Sequence, residues 1–288
     1  MPMEIDRAQL KRRAKESMSL SKPSFWIVTL VYLLMTTGVA CAVDLTDGGL
    51  YLFLYIAYNL YAVVVGFSYR LWALWTCRRL EPGLGSLMEG FSVAGRVIVM
   101  ELAILVRTMG WTFLFSFAAA FVMMAVPSPV VIGICVAVAV AAVEVITLRY
   151  ALAPYVLADY PDLGPSVAVA HSVRLTRGWV LELVKLHLSF LGWYILSTLL
   201  SLAGLALGLM LIGELPALIA MPYDQFIAQL QSLAYSPVPY LLMNVVTLPV
   251  TLYFTPYLEI TLAEFYNARI ALSDNMADPL GGMRMPPV

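Results

Sequence analysis

Two ionisable residues, Arg107 and Glu144, stand within or at the edge of long apolar runs, where a charge is costly. A charged side chain at membrane depth normally faces a partner or a water-filled path, so such residues mark structural pairs or ion routes. At a helical rise of ~1.5 Å per residue, Glu144 lies roughly 21 Å below the outer edge of its run, and Arg107 roughly 28 Å down the neighbouring one. An arginine side chain spans that difference, so the spacing predicts an Arg107–Glu144 ion pair, either glue for a hairpin or part of a transport path. Asn59 and Asn244 place polar groups in two other runs. Pro249 and Pro256, seven residues apart and on nearly one face, free backbone carbonyls that a neighbour or water must satisfy. They are the helix-breaking candidates.

Other chemistry finds little material. The chain has no Gly-rich phosphate loop, no HExxH and no GxSxG. His171 and His187 lack neighbouring residues that would complete a zinc site and read as structural. Cys41, Cys77 and Cys135 fall in or beside apolar runs at no metal or CxxC spacing, which suits small buried thiols. The expectation is a protein that is not an enzyme, with no catalytic residues, no cofactor and no metal.

The elements that must position these residues follow from composition. Of the 288 residues, 61% are hydrophobic and 12% charged, with a mean hydropathy of +0.86. A soluble domain is nearer half apolar and a quarter charged, so material for a water-facing surface is missing. That excludes an ordinary soluble enzyme, a disordered chain and a nucleic-acid binder. The bilayer is the solvent that fits.

Six runs are long enough to span: 25–43, 48–69, 104–126, 130–148, 186–213 and 238–262. Pro127-Ser128-Pro129 separates the third from the fourth. All 17 basic residues fall before the first run, between the second and third (with Arg107 at the edge of the third), between the fourth and fifth, or after the sixth. The other three connections carry Asp44, Asp47, Glu214 and Asp224 instead. By the positive-inside rule both termini are cytoplasmic. Ala40-Cys41-Ala42 has the form of a signal-peptidase site, but the apolar run before it is long for a signal core.

The basic stretches share a pattern. Asp6-x-x-Gln9 and Ser86-x-x-Glu89 have capping-box form, and Pro161–Pro165 is a turn leading to a third helix start. Leu10, Ala14 and Met18 share one face, as do Leu87, Phe91 and Ala94, and Val169 and Val173. These read as amphipathic surface helices, apolar side in the bilayer and basic side toward anionic headgroups. Arg70 and Pro82 recur as Arg149 and Pro161 at one common offset, and Ala153-Pro154-Tyr155 recurs as Thr255-Pro256-Tyr257. The fold expected is an all-α integral membrane protein of six transmembrane helices, in three repeats of surface helix plus helical hairpin. Residues 1–24 form a cytoplasmic amphipathic segment, 25–266 the membrane domain and 267–288 a cytoplasmic, disordered tail. In the outer connection, Asp224 can cap a helix bearing Phe226, Ile227, Leu230 and Leu233 on one side.

Residues 148–197 carry a more specific signal. Tyr155-Val-Leu-Ala-Asp159-Tyr-Pro161, Ser172, Arg177-Gly178 and Leu188-Ser-Phe-Leu-Gly-Trp193 resemble the bacterial integral-membrane family catalogued as domain of unknown function 975. Arg7-Ala-Gln-Leu-Lys11 resembles that family's opening, and Pro256-Tyr257 with Glu264-Phe-Tyr266 its close. The resemblance implies a multi-span protein of the bacterial cytoplasmic membrane and brings no activity. With Arg70 and Arg149, its residues Asp159, Pro161, Ser172, Gly178 and Trp193 are the motif candidates at the cytoplasmic face. Three functions stay open. One is a non-enzymatic protein organising or assisting another membrane component. The others are a permease for a small or amphipathic solute and a lipid-modifying enzyme. Partners expected are membrane lipids through anionic headgroups and a membrane-protein partner, not nucleic acid.

Overall fold

The computed structural model describes residues 6–44, 46, 48–126 and 128–275. Regular structure among them is entirely helical. A short helix, α1 (Arg7–Leu20), precedes a first span made of α2 (Phe25–Leu33), a π-helical stretch (Leu34–Gly38) and α3 (Val39–Asp44). The second span is α4 (Tyr51–Cys77). After α5 (Ser86–Glu89) and a 3-10 turn comes α6 (Ala94–Ala125), paired with α7 (Pro129–Thr147). Three short helices follow: α8 (Ala153–Asp159), α9 (Pro165–Thr176) and α10 (Val180–Leu188). The third hairpin joins α11 (Leu191–Leu211) to α14 (Pro237–Asn275) through α12 (Leu215–Ile219) and α13 (Tyr223–Ala234). Six of these stretches are long and apolar enough to cross a membrane.

Ion pairs sort the connections by end. Arg7 meets Glu182, Arg79 meets Glu16, Arg78 meets Asp159 and Arg96 meets Asp162. The basic stretches therefore converge at one end of the bundle. At the other end the Tyr240 hydroxyl donates to Asp44 Oδ2 at 3.0 Å.

The core lies toward the basic end. Tyr69, Trp72 and Leu74 of α4 pack there with Leu152–Leu157, Phe190, and Ile260, Phe265 and Tyr266 of α14. The far halves of the spans are open to the surroundings, as the 73% exposure of Phe113 illustrates. In a bilayer such faces meet lipid, which is as apolar as they are, so burial brings no hydrophobic gain there. Close backbone approach holds α11 to α14 instead. A Cβ on Gly204 would stand 2.7 Å from the Leu242 carbonyl oxygen, and one on Gly208 2.4 Å from Pro239 Cα. Gly204 and Gly208 form a G-x-x-x-G pair, the spacing that lets membrane helices touch along their backbones.

Several expectations need correction. The apolar faces of the two longer leading helices are buried by protein rather than laid on lipid. Leu10, Ala14 and Met18 of α1 pack against α14, and Ala168, Val169 and Leu175 of α9 join the core. Asp6 does cap α1, its Oδ1 accepting from the Ala8 amide at 2.9 Å. Ser86 caps nothing: its hydroxyl donates to the Gly83 carbonyl at 2.7 Å, from inside the first turn of α5. The fifth span begins at Leu191 because Ser189 bonds the Leu186 carbonyl and interrupts the helix after α10. α13 begins at Tyr223, one residue before Asp224, with Pro222 at the N-cap. Its Phe226, Leu230 and Leu233 pack with Leu205, Leu209 and Leu218 at the far end of the third hairpin. Pro249 and Pro256 do not break their helix; α14 runs through both. Each removes one donor, leaving the Val245 and Leu252 carbonyls without their usual partner. α14 continues to Asn275, so 267–275 is helical, and the expected disorder beyond lies outside the described residues. Asp47, Pro127 and Arg284 lie outside them too.

α4 ends in a Schellman motif. The Leu80 amide bonds the Trp75 carbonyl and the Arg79 amide that of Thr76. Arg79 occupies the position that glycine usually takes, with φ +58°. Two residues on, Glu81 has φ +47°.

The close approach sets the first test. Gly208→Leu should destabilise the protein by about 1–3 kcal/mol through overpacking, measured by unfolding in detergent. Gly192→Ala, with nothing within 4 Å of the added carbon, should sit near wild type.

Candidate functional site

The charges of the basic end gather into two linked nodes. In the first, Arg70 of α4 lies between two carboxylates from different hairpins. Its Nη1 is 3.4 Å from Glu101 Oε1 on α6, and its Nε 3.8 Å from Glu259 Oε1 on α14. The Tyr155 hydroxyl donates to Glu259 Oε2 at 2.9 Å. Tyr155 and Asp159 are four residues apart, so α8 presents both on one face. Asp159 belongs to the second node. Arg78 forks onto it, with Nη1–Oδ1 at 2.5 Å and Nη2–Oδ2 at 2.7 Å. The Tyr266 hydroxyl donates to Asp159 Oδ2 at 2.9 Å, and Arg78 also donates to Asn267 Oδ1 at 3.0 Å. The stacked rings of Tyr155 and Tyr266 join the nodes, their centroids 5.6 Å apart.

Planar guanidinium against carboxylate gives two parallel bonds and a fixed orientation. Burial works against the Arg78 charge, and the Asp159 carboxylate overcomes it, holding the guanidinium more firmly charged than usual. α14 contributes Glu259 and Tyr266, seven residues apart, to the two nodes. The lattice thus ties α4, α6, α8 and α14 together. Beside it, Tyr32 stacks on Tyr69 at 4.1 Å, and Tyr69 shares a 2.8 Å hydrogen bond with Thr29. On α1, Lys11 donates to the Ser189 carbonyl at 2.8 Å and covers the Phe190 ring. Burial first, then the nearby Lys15 and Arg7, lowers the pKa of the Lys11 amine.

The sequence-derived residues divide. Arg70 and Asp159 are in the lattice. Pro161 offers its carbonyl to the Arg96 guanidinium. Ser172, fully buried, donates to the Arg149 carbonyl at 2.8 Å, while the Arg149 residue itself is exposed. Arg70 and Arg149 therefore differ in role despite their common offset. Gly178 takes φ +78° in the turn between α9 and α10, a conformation that suits glycine. Trp193 stacks near Phe254 and Tyr253. Asn59 and Asn244 donate to carbonyls of their own helices, Tyr55 and Tyr240. The Arg107–Glu144 pair does not form. Arg107 donates to the Ala103 carbonyl at 2.8 Å on its own helix, and Glu144 is exposed on α7 without an ion pair among the described residues. Counting depth along two helices fixes height but not the facing of side chains around each axis.

The comparisons add one match. The family described as a protein of unknown function, DUF975, covers residues 1–272. The chain belongs to the DUF975 family. It matches no curated protein and no solved structure. Among the described residues of this DUF975 protein, no three His, Cys, Asp or Glu side chains converge as a metal site would require. What the lattice does chemically is neutralise charge between helices.

Arg78→Met should destabilise by about 1–3 kcal/mol, below the cost of breaking a fully buried pair because this one is partly buried, since it strands the Asp159 carboxylate. Adding Asp159→Leu should recover much of the loss in the same unfolding measurement.

Proposed function

We propose that this protein is a non-enzymatic, multi-pass protein of the bacterial cytoplasmic membrane that assists or organises another membrane protein, docking it on the α6–α7 hairpin. Three features of that hairpin support the reading. Glu144 is an exposed carboxylate in the inner half of an apolar helix, without an ion pair among the described residues. Arg107 is exposed and makes a hydrogen bond to its own backbone. Gly133, Ala137 and Ala141, spaced by four, make an exposed small-residue stripe on α7, and Glu144 falls within its angular width. Small residues let a foreign helix approach closely, and the two charges select a transmembrane helix bearing their complements.

The basic end faces the cytoplasm, where lysine and arginine accumulate. In a chain with Cys41, Cys77 and Cys135 replaced by alanine, a cysteine at Asp224 should react with an impermeant maleimide from outside. One at Glu81 should not; the reverse pattern overturns the orientation.

Docking is tested with a photo-crosslinking residue at Ala137 in intact cells. The adduct should be another membrane protein whose crosslinked helix carries a basic residue. Glu144→Lys should abolish the adduct, and an acidic residue at that partner position should restore it. A self-adduct, or an adduct unaffected by Glu144→Lys, contradicts the reading. A permease has one observation in its favour: Arg70 bridges carboxylates on two hairpins. If that bridge opens during transport, Arg70→Lys should abolish solute flux in vesicles while leaving the Ala137 adduct intact.

A further inference from the structure

A cavity of about 220 Å³ lies at the basic end, between the end of α1 and the end of α4. Ser17, Lys22, Thr76, Arg79 and Glu81 are on its wall. We propose that it binds the headgroup of an amine-bearing glycerophospholipid, Lys22 and Arg79 taking the phosphodiester and Glu81 the ammonium.

Thr76 supplies the first argument. It is 4% exposed, and its hydroxyl has no hydrogen-bond partner. A helical threonine readily bonds the carbonyl four residues back, and a buried hydroxyl left unmatched is costly. Thr76 is one of the residues lining the cavity, so a small side-chain rotation would bring its hydroxyl to a ligand oxygen that satisfies it. Backbone strain is the second. The helix cap accounts for the φ of Arg79, but Glu81, beyond the cap, also holds a positive φ that L-residues rarely adopt, and it sets its carboxylate on the cavity wall. Non-glycine residues persist in that region only where the surrounding structure holds them there, and ligand clamps are among the places where they cluster. The third is charge. Lys22 and Glu81 stand 4.0 Å apart with side chains 79% and 65% exposed, a loose pair that a ligand exchanges at little cost. Arg79 also holds Glu16 at 2.7 Å. A guanidinium has five donors and can keep that carboxylate while meeting a phosphate. Two cations and one carboxylate on the wall suit a phosphate with an attached ammonium better than a multiply charged anion. The loops of this end sit where the spans leave the bilayer, at headgroup level.

The inference rests on the membrane reading but not on the docking partner. Its test is native mass spectrometry of the full chain in detergent, titrated with short-chain phosphatidylethanolamine, phosphatidylcholine, phosphatidylglycerol and free glycerophosphoethanolamine. The ethanolamine lipid should bind at least tenfold more tightly than the other two lipids. Arg79→Gly and Thr76→Val should each weaken it at least tenfold, and Arg12→Gln, away from the cavity, should not. Glycine relieves the strain at position 79, so Arg79→Gly should melt no lower than wild type and its lost binding cannot be unfolding. Equal binding of the three lipids overturns the proposal, as does unchanged binding in Arg79→Gly and Thr76→Val. Equal binding of the soluble headgroup overturns the lipid assignment, and a Glu144→Lys chain that still binds ethanolamine lipid separates this site from the docking surface.

Discussion

An arginine within a membrane helix has to be neutralised, and Arg70 meets that constraint by drawing one carboxylate from each of two other hairpins. The arrangement fixes where the three hairpins meet. Once Glu101 and Glu259 point at Arg70, α6 and α14 are held to α4 at one depth, and Tyr155 is oriented by Glu259. The second node repeats the logic with Arg78, Asp159 and Tyr266. Around these polar contacts the aromatic and aliphatic core closes, so the tightly packed part of the molecule lies at the basic end. Lipid offers helices no hydrophobic reason to associate, so hairpins joined at one end can remain open at the other.

That distribution bears on function. The third hairpin closes on itself through Gly204 and Gly208, whose missing side chains let α14 approach. The α7 stripe of Gly133, Ala137 and Ala141 has the same kind of small residues, yet it is exposed. One small-residue face is used within the chain and the other is left over, in company with two charges. In the proposed docking, a helix from another protein completes it as α14 completes α11.

Much of this was legible in the sequence, and the failures are physical. Run length and the placement of arginines gave the six spans, because the bilayer imposes one length and one polarity on every crossing. Arg70 could be singled out by its recurrence as Arg149, and Asp159 by the family resemblance of its segment. Their partners were harder to find: Glu101 and Glu259 sit near span ends, where a carboxylate looks like ordinary interfacial solvation. The i, i+4 spacing of Tyr155 and Asp159 and the seven-residue spacing of Glu259 and Tyr266 were the available signals. The Arg107–Glu144 pair failed because height along a helix does not specify rotation about it. The proline expectation failed because a long helix packed along its length tolerates two missing donors. The strained conformations of Arg79 and Glu81 had no sequence signal, since glycine is what normally announces them.

Arg70 holds the hairpins together through its two carboxylates. A double-mutant cycle on Arg70→Met and Glu259→Gln, read by reversible unfolding in a bilayer, tests it most directly. The coupling should exceed about 1 kcal/mol, within the range for residues sharing one network. Arg70→Met alone should cost more than Glu259→Gln, because it strands two carboxylates. A coupling near zero, with the two substitutions simply additive, would contradict it.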